Sequence, residues 1–221
     1  MIDTNIDFRP FFISLQVASI SVVLTFVLGL FAANYVYKLN FGKGIIDTLF
    51  TLPMILPPTV SGAYLLMFFG RNTGIGKLLE NFGIQIVFTR IGAVIAAIFV
   101  GFPLMYRATR GAFEQIDENI INAAKTLGIS NTKIFWTIKI PMAKGGIIAG
   151  VVLAFSRALG EFGATIMLAG NIPGRTQTMS IAVFSAINAG NRAVANTWTI
   201  ILTAISFIIL IVMNRFSYKK R

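Results

Sequence analysis

The chain has 221 residues, of which 56% are hydrophobic and 12% charged, with a mean hydropathy of +0.78. A soluble domain of this length needs far more polar surface, so the composition points to lipid as the solvent. There is no Cys and no His, which removes disulfides, thiol nucleophiles, the commonest metal ligand and the commonest general base; no cofactor, metal or catalytic centre is expected.

The net charge of +11 sits on Arg and Lys at the ends of long apolar runs, where cationic side chains meet anionic lipid headgroups, and so does not mark a nucleic-acid surface. Residues 1–10 carry Asp3, Asp7 and Arg9, unlike the basic start of a cleavable signal peptide, and the apolar run after them is too long for one. A crossing helix needs about 20 apolar residues to span about 30 Å of hydrocarbon. Residues 11–37 hold no charge and form the first crossing. Residues 48–70 form a second, whose helix Pro53, Pro57 and Pro58 must kink or delay. Residues 91–106 form a short third, with Arg90 and Arg107 able to snorkel from its ends.

The loop that follows, 107–139, carries its own helical signals. Asp117 can cap a helix whose first turn holds Glu118, favourable at the positive end of the helix dipole. Ile120, Ala123, Ala124 and Leu127 fall on one face at helical spacing. Gly128 suits the left-handed residue that ends a helix, and Ser130 can cap a second, short one. The pattern fits both a helix lying on the membrane surface and a docking helix for a cytoplasmic partner.

Residues 145–156 are too short to cross alone, so a fourth crossing is expected to run from about 140 through Arg157 and Glu161 to 164. Gly146 and Gly150 give it a small-residue face for close helix packing. Residues 179–189 are too short for a span and read as re-entrant or interfacial. Residues 193–214 form the last crossing, closed by Arg215, Lys219, Lys220 and Arg221. With the 38–43 turn, the 107–144 loop and the tail on one side, that side holds twelve of the nineteen Lys and Arg, and the other holds six. The basic side is cytoplasmic by the positive-inside rule, which puts the N-terminus outside and the C-terminus inside, in keeping with five spans. The expected fold is a single all-α polytopic domain over 1–221, with its core at about 11–215 and the loop at about 114–141.

Asn122-Ala123-Ala124, Gly128 and Ile138-Lys139-Ile140-Pro141 resemble the EAA motif of type I ATP-binding-cassette importer permeases. That motif reads Glu-Ala-Ala, three residues, Gly, nine residues, then Ile-x-Leu-Pro, and every spacing matches. Asn122 stands where the family has Glu, and Ile140 where it has Leu. The resemblance implies that Asn122, Ala123, Ala124, Leu127, Gly128 and Pro141 belong to a coupling loop seated on a separate ATPase subunit. The missing Glu bears on one polar contact there. The chain itself lacks a phosphate loop: its nearest fragment, 70–78, misplaces the first Gly and has Leu78 after Lys77.

A second stretch, Gly160-Glu161-Phe162-Gly163-Ala164-Thr165 and then Gly170-Asn171-Ile172-Pro173-Gly174-Arg175-Thr176-Gln177-Thr178, is similar to the signature of molybdate permeases. Leu52-Pro53, Leu56-Pro57-Pro58 and Phe102-Pro103-Leu104-Met105 fit the same family, and sulfate and tungstate permeases share parts of it. The resemblance implies an inner-membrane permease paired with a second copy around a central pathway, two ATPase subunits, and an extracytoplasmic molybdate-binding protein. Arg157, Glu161, Thr165, Asn171, Thr176 and Thr178 are its pathway or outer-gate candidates. Arg157 and Glu161, four apart, stack on one helix face, and ionisable residues at membrane depth are functional candidates. The structural alternative is an ion pair that orients the helix. Asn171, Thr176, Gln177 and Thr178 offer neutral dipoles to a passing dianion; the alternative is a polar turn closed by Pro173 and Gly174. A secondary transporter or a membrane-embedded enzyme would need buried carboxylates, a repeated half, or the missing His and Cys.

Overall fold

A computed structural model describes residues 6–39 and 41–218; Asp3, Lys219, Lys220 and Arg221 lie outside them. In chain order the helices are α1 (Arg9–Tyr37), α2 (Lys43–Ile55), α3 (Pro58–Phe69), α4 (Gly74–Asn81), α5 (Arg90–Glu114), α6 (Glu118–Thr126), α7 (Asn131–Ile134), α8 (Ile140–Met142), α9 (Lys144–Leu159), α10 (Gly163–Ala169), α11 (Met179–Asn188) and α12 (Arg192–Tyr218). A π-turn, Phe135–Lys139, joins α7 to α8. Among the described residues there is no strand.

Helices α1, α5 and α9 form the tightest part of the bundle, and small residues are the reason. Pro10 fits the first turn of α1, where a backbone N–H has no intrahelical partner. Ser14, Ser21, Thr25, Gly29 and Ala33 make one buried side of that helix small. A Cβ on Gly29 would stand 3.1 Å from the Met105 Cβ and 3.2 Å from the Tyr106 nitrogen of α5. Gly150 of α9 meets the Met105 sulfur and Ala108, Gly146 meets Ala112, and Gly101 faces Ala154. The expected small-residue face of α9 is therefore spent on α5, by van der Waals contact in a medium that offers no hydrophobic drive. These pairings make α1 parallel to α5 and α9 antiparallel to both. One end of the bundle holds Arg90, bonded to Gln16; the other holds Glu114.

The second expected crossing exists in two pieces. Helices α2 and α3 meet at 112°, far beyond a kink. Leu56 and Pro57 are both extended, with ψ 139° and 137°, because each precedes a proline whose ring disfavours the helical conformation. Two such residues in succession stop the helix, whereas Pro53 is accommodated inside α2. The broken segment still traverses the bundle: Lys43 pairs with Glu114 at 3.0 Å, while Leu65 clusters with Ile86, Val87 and Ala96 near the Arg90 end.

The fourth crossing differs from expectation at both ends. Its helix starts at Lys144, bent by 75° from residues 131–142, and it stops at Leu159 instead of running to 164. Chain direction changes at Gly160–Phe162, and α10 then packs against α3 and α5. Helices α1, α5 and α12 are each long and apolar enough to cross, and the two bent pairs raise the possible crossings to five. Residues 179–188 form α11, short as expected, which lies along α12; its Met179 N–H donates to Ser14 Oγ at 2.8 Å.

Candidate functional site

The residues singled out by sequence form two groups at opposite ends of α5. At the Glu114 end, α6 begins as expected: the Asp117 carboxylate accepts from Asn119 N–H at 2.9 Å, with Glu118 in the first turn and Lys125 in the last. Gly128 has φ 73°. Its N–H donates to Lys125 O at 2.9 Å, and Ile129 N–H reaches back to Ala124 O at 3.1 Å, closing the helix. Ser130 Oγ then accepts from Lys133 N–H at 3.4 Å to start α7. Pro141 has no N–H for the carbonyl four residues back, and the ladder ahead of it relaxes into the Phe135–Lys139 π-turn.

The apolar residues of α6 do not share one face. Ile121 and Ala124 are buried against the bundle, in a cluster with Val36, Phe113 and Phe135. Asn122 and Ala123 are exposed, and Ile120 and Leu127 are 40% and 79% exposed. Ile120, Ala123 and Leu127, spaced by three and four, thus make an outward apolar stripe, while Ala124 belongs to the inward side. Sequence reading missed what holds α2 beside this end. Asp47 accepts from Tyr106 OH at 2.9 Å and pairs with Arg110 and, at 3.7 Å, with Arg107. Glu114 bridges Lys43 and Arg110, both at 3.0 Å. Asp47, four residues after Lys43, and Glu114, four residues after Arg110, were the available signal.

At the Arg90 end, Arg157 and Glu161 do pair. Glu161 is 2% exposed, and its Oε1 also accepts from Ala164 N–H at 2.7 Å, satisfying a donor at the start of α10. The carboxylate therefore joins two helices across the break instead of standing on one helix face. Thr165 is buried in α10. Gly62 allows α3 to meet α10 there: a Cβ on it would be 2.7 Å from Met167 Cβ and 2.8 Å from Ala164 Cα.

The 170–178 loop is largely self-bonded. Asn171 Nδ2 donates to Ser185 Oγ at 2.7 Å, and its Oδ1 accepts from Gln177 at 2.9 Å. Thr176 Oγ1 accepts from Ile172 N–H at 3.0 Å, and Thr178 is buried with its hydroxyl unpartnered among the described residues. Arg90, expected only to snorkel, pins this loop: it donates to Arg175 O at 2.8 Å, Gly174 O at 3.1 Å and Gln16 Oε1 at 3.1 Å. With Thr89, Arg175 and Thr176 it lines a hollow of about 200 Å³. The structure thus brings Arg157 to Glu161 and gathers Asn171, Thr176 and Thr178 in one turn whose dipoles are mostly directed at each other.

Residues 25–219 match the binding-protein-dependent transport system inner membrane component family. The chain belongs to that family. The molybdenum transport system permease protein ModB of Escherichia coli (strain K12) is 41% identical, over 96% of this chain and 94% of that one. ModB of Haemophilus influenzae is 45% identical over 79% and 77%, and the sulfate transport system permease protein CysW of Synechococcus elongatus 35% over 90% and 70%. The bundle also superposes on a bacterial ABC transporter that imports alginate, with a TM-score of 0.77 at 16% identity, over 96% of this chain and 79% of that one. The permease is thus a multi-pass inner-membrane protein with the type I ABC importer permease fold, and its family is one of transport components, not enzymes.

Proposed function

We propose that this permease forms, with a second copy of itself, the translocation pathway of an ATP-driven importer of a tetrahedral oxyanion, molybdate. The observation that supports the substrate is the 41–45% identity to the molybdenum permeases of Escherichia coli and Haemophilus influenzae, against 35% to the sulfate permease CysW, although ModB of Azotobacter vinelandii stands at 34%. In this reading the Glu114 end faces the cytoplasm, where its concentration of Lys and Arg belongs, and the N-terminus lies outside. Two ATPase subunits dock on α6 through the Ile120, Ala123 and Leu127 stripe, with Gly128 and Pro141 setting the pitch of the loop. An extracytoplasmic binding protein delivers the anion at the Arg90 end. Closure of the ATPase pair on ATP moves both α6 helices and opens the pathway outward; hydrolysis resets it. The Arg157–Glu161 pair holds the α9–α10 corner beside the pathway. Glu161 is a positioning residue there and not an anion ligand, since a carboxylate repels the cargo.

The test is uptake by vesicles holding the permease, its ATPase and its binding protein. ATP-dependent accumulation of molybdate, with sulfate at least about tenfold slower, is the expected result, a ratio equivalent to about 1.4 kcal/mol of discrimination between two dianions that differ in size. Sulfate uptake faster than molybdate uptake overturns the substrate, and uptake without ATPase overturns the class.

A further inference from the structure

Behind α6, on the side away from its apolar stripe, lies a polar cavity of about 510 Å³. The ends of α1 and α5 form its far walls, and Asn34, Tyr37, Lys38, Asn122, Lys125 and Lys139 contribute to its lining. At about 30 Å³ per liquid water molecule, that is ample room for a solvated ion. Lys139 is the unusual member. It is 4% exposed, and its Nζ lies 3.4 Å from Asn34 Oδ1 and 3.7 Å from the centroid of the Tyr37 ring. Neither partner carries a negative charge.

Carboxylates are near, but among the described residues none pairs with Lys139. Glu114 lines the same cavity and is already shared between Lys43 and Arg110. Glu118 also lines it, in the first turn of α6, where the positive end of the helix dipole is its complement. The charges that act on Lys139 are two further cations, Lys38 and Lys125. Burial first, and then those two lysines, push its pKa down to about 8, so at neutral pH most of it remains an ammonium. A buried, uncompensated charge is costly, and an open polar cavity with surplus positive charge is a place where an anion removes that cost. Position 122 sharpens the point, because an acidic residue there would add a carboxylate to this lining and Asn122 adds only an amide.

We propose that this cavity binds a phosphate-class anion, a tetrahedral oxyanion group held by Lys139, Lys38 and Lys125 and hydrogen-bonded by Asn122. Two sources share that chemistry: a free anion from the solvent at this end, and the phosphate of an anionic lipid headgroup, which basic pockets between helix ends accept. The inference rests on the cavity and not on the transport reading, so its test needs no uptake.

The purified full-length permease is placed in phosphatidylcholine nanodiscs and titrated with inorganic phosphate by calorimetry. In a second arm, permease extracted from membranes containing phosphatidylglycerol is weighed by native mass spectrometry. A free-anion site shows saturable phosphate binding that Lys139→Gln weakens about tenfold or more, the loss of one charged hydrogen bond. A headgroup site shows no phosphate binding but a retained phosphatidylglycerol that Lys139→Gln releases. Should Lys139→Gln not fold, the double variant Lys38→Gln/Lys125→Gln, at two exposed positions, must show the same loss. Binding in neither arm, or binding indifferent to these substitutions, overturns the proposal.

Discussion

Substitution of Gly128 isolates conformation from packing. Its φ is 73°, and a Cβ built there would meet no heavy atom within 4 Å. A side chain at this position therefore clashes with nothing, and its whole cost is that of a left-handed backbone, about 1–2 kcal/mol for an L-residue. That is a factor of about 5–30 in the population of the closed turn, whose Ile129-to-Ala124 hydrogen bond fixes the end of α6. If the direction of α6 sets its docking, Gly128→Ala weakens the permease–ATPase complex by about that factor. Gly128→Asn costs less, since Asn tolerates the conformation, and Gly128→Val costs most, being β-branched. Gly111→Ala is the control: Gly111 also faces open space but lies inside α5, where Ala is the better helix former by about 1 kcal/mol. Affinity for the ATPase is measured with tagged permease in nanodiscs, and anion uptake in matched vesicles. Full binding and uptake by Gly128→Val, or a Gly111→Ala defect as large as that of Gly128→Ala, refutes the reasoning.

Three further outcomes are expected. Glu161→Gln keeps an acceptor for Ala164 N–H but leaves Arg157 without its counter-charge, so uptake and thermal stability fall while ATPase binding survives; unchanged uptake reduces the pair to a dispensable contact. Because the native chain has no Cys, Lys77→Cys should react with an impermeant thiol reagent from outside and Lys133→Cys only from the cytoplasmic side, and the reverse pattern inverts the orientation. Lys139 has a folded pKa of about 8 against an ordinary 10.5, so its charged form is disfavoured by folding. Its penalty is full below pH 8 and is relieved as pH rises toward 10.5. The melting temperature of anion-free permease should therefore rise from pH 7 to pH 9.5, and less so in Lys139→Met; an equal rise in both assigns the effect elsewhere.

Span positions were legible because run length against bilayer thickness is a coarse rule that survives local irregularity. The loop's punctuation was legible too: Asp117, Gly128 and Ser130 each act through their own backbone neighbours, so no tertiary knowledge is needed. What escaped was tertiary in origin. Leu56-Pro57-Pro58 announces a disturbance, but the 112° turn depends on where α3 finds its partner in α10, 100 residues away in sequence. Helix α9 ends earlier than its sequence suggests, because Glu161 reads as the next helical position whereas its carboxylate accepts from the start of the helix that follows. On α6, Ala123 and Ala124 are chemically alike, and only the bundle decides which faces inward. The enclosure of Lys139 by Tyr37 and Asn34 has no signal among its neighbours along the chain.

The inward side of α6 has a mechanical consequence. Ile121 and Ala124 share one cluster with Val36 of α1, Phe113 of α5 and Ile147 of α9, so two small apolar anchors tie α6 to the bundle beside the polar cavity. A displacement that α6 passes through these anchors reaches α5, a lever of 25 residues and about 37 Å at 1.5 Å per residue. At its far tip Arg90 grips the carbonyls of Gly174 and Arg175, so the loop rides on the same lever.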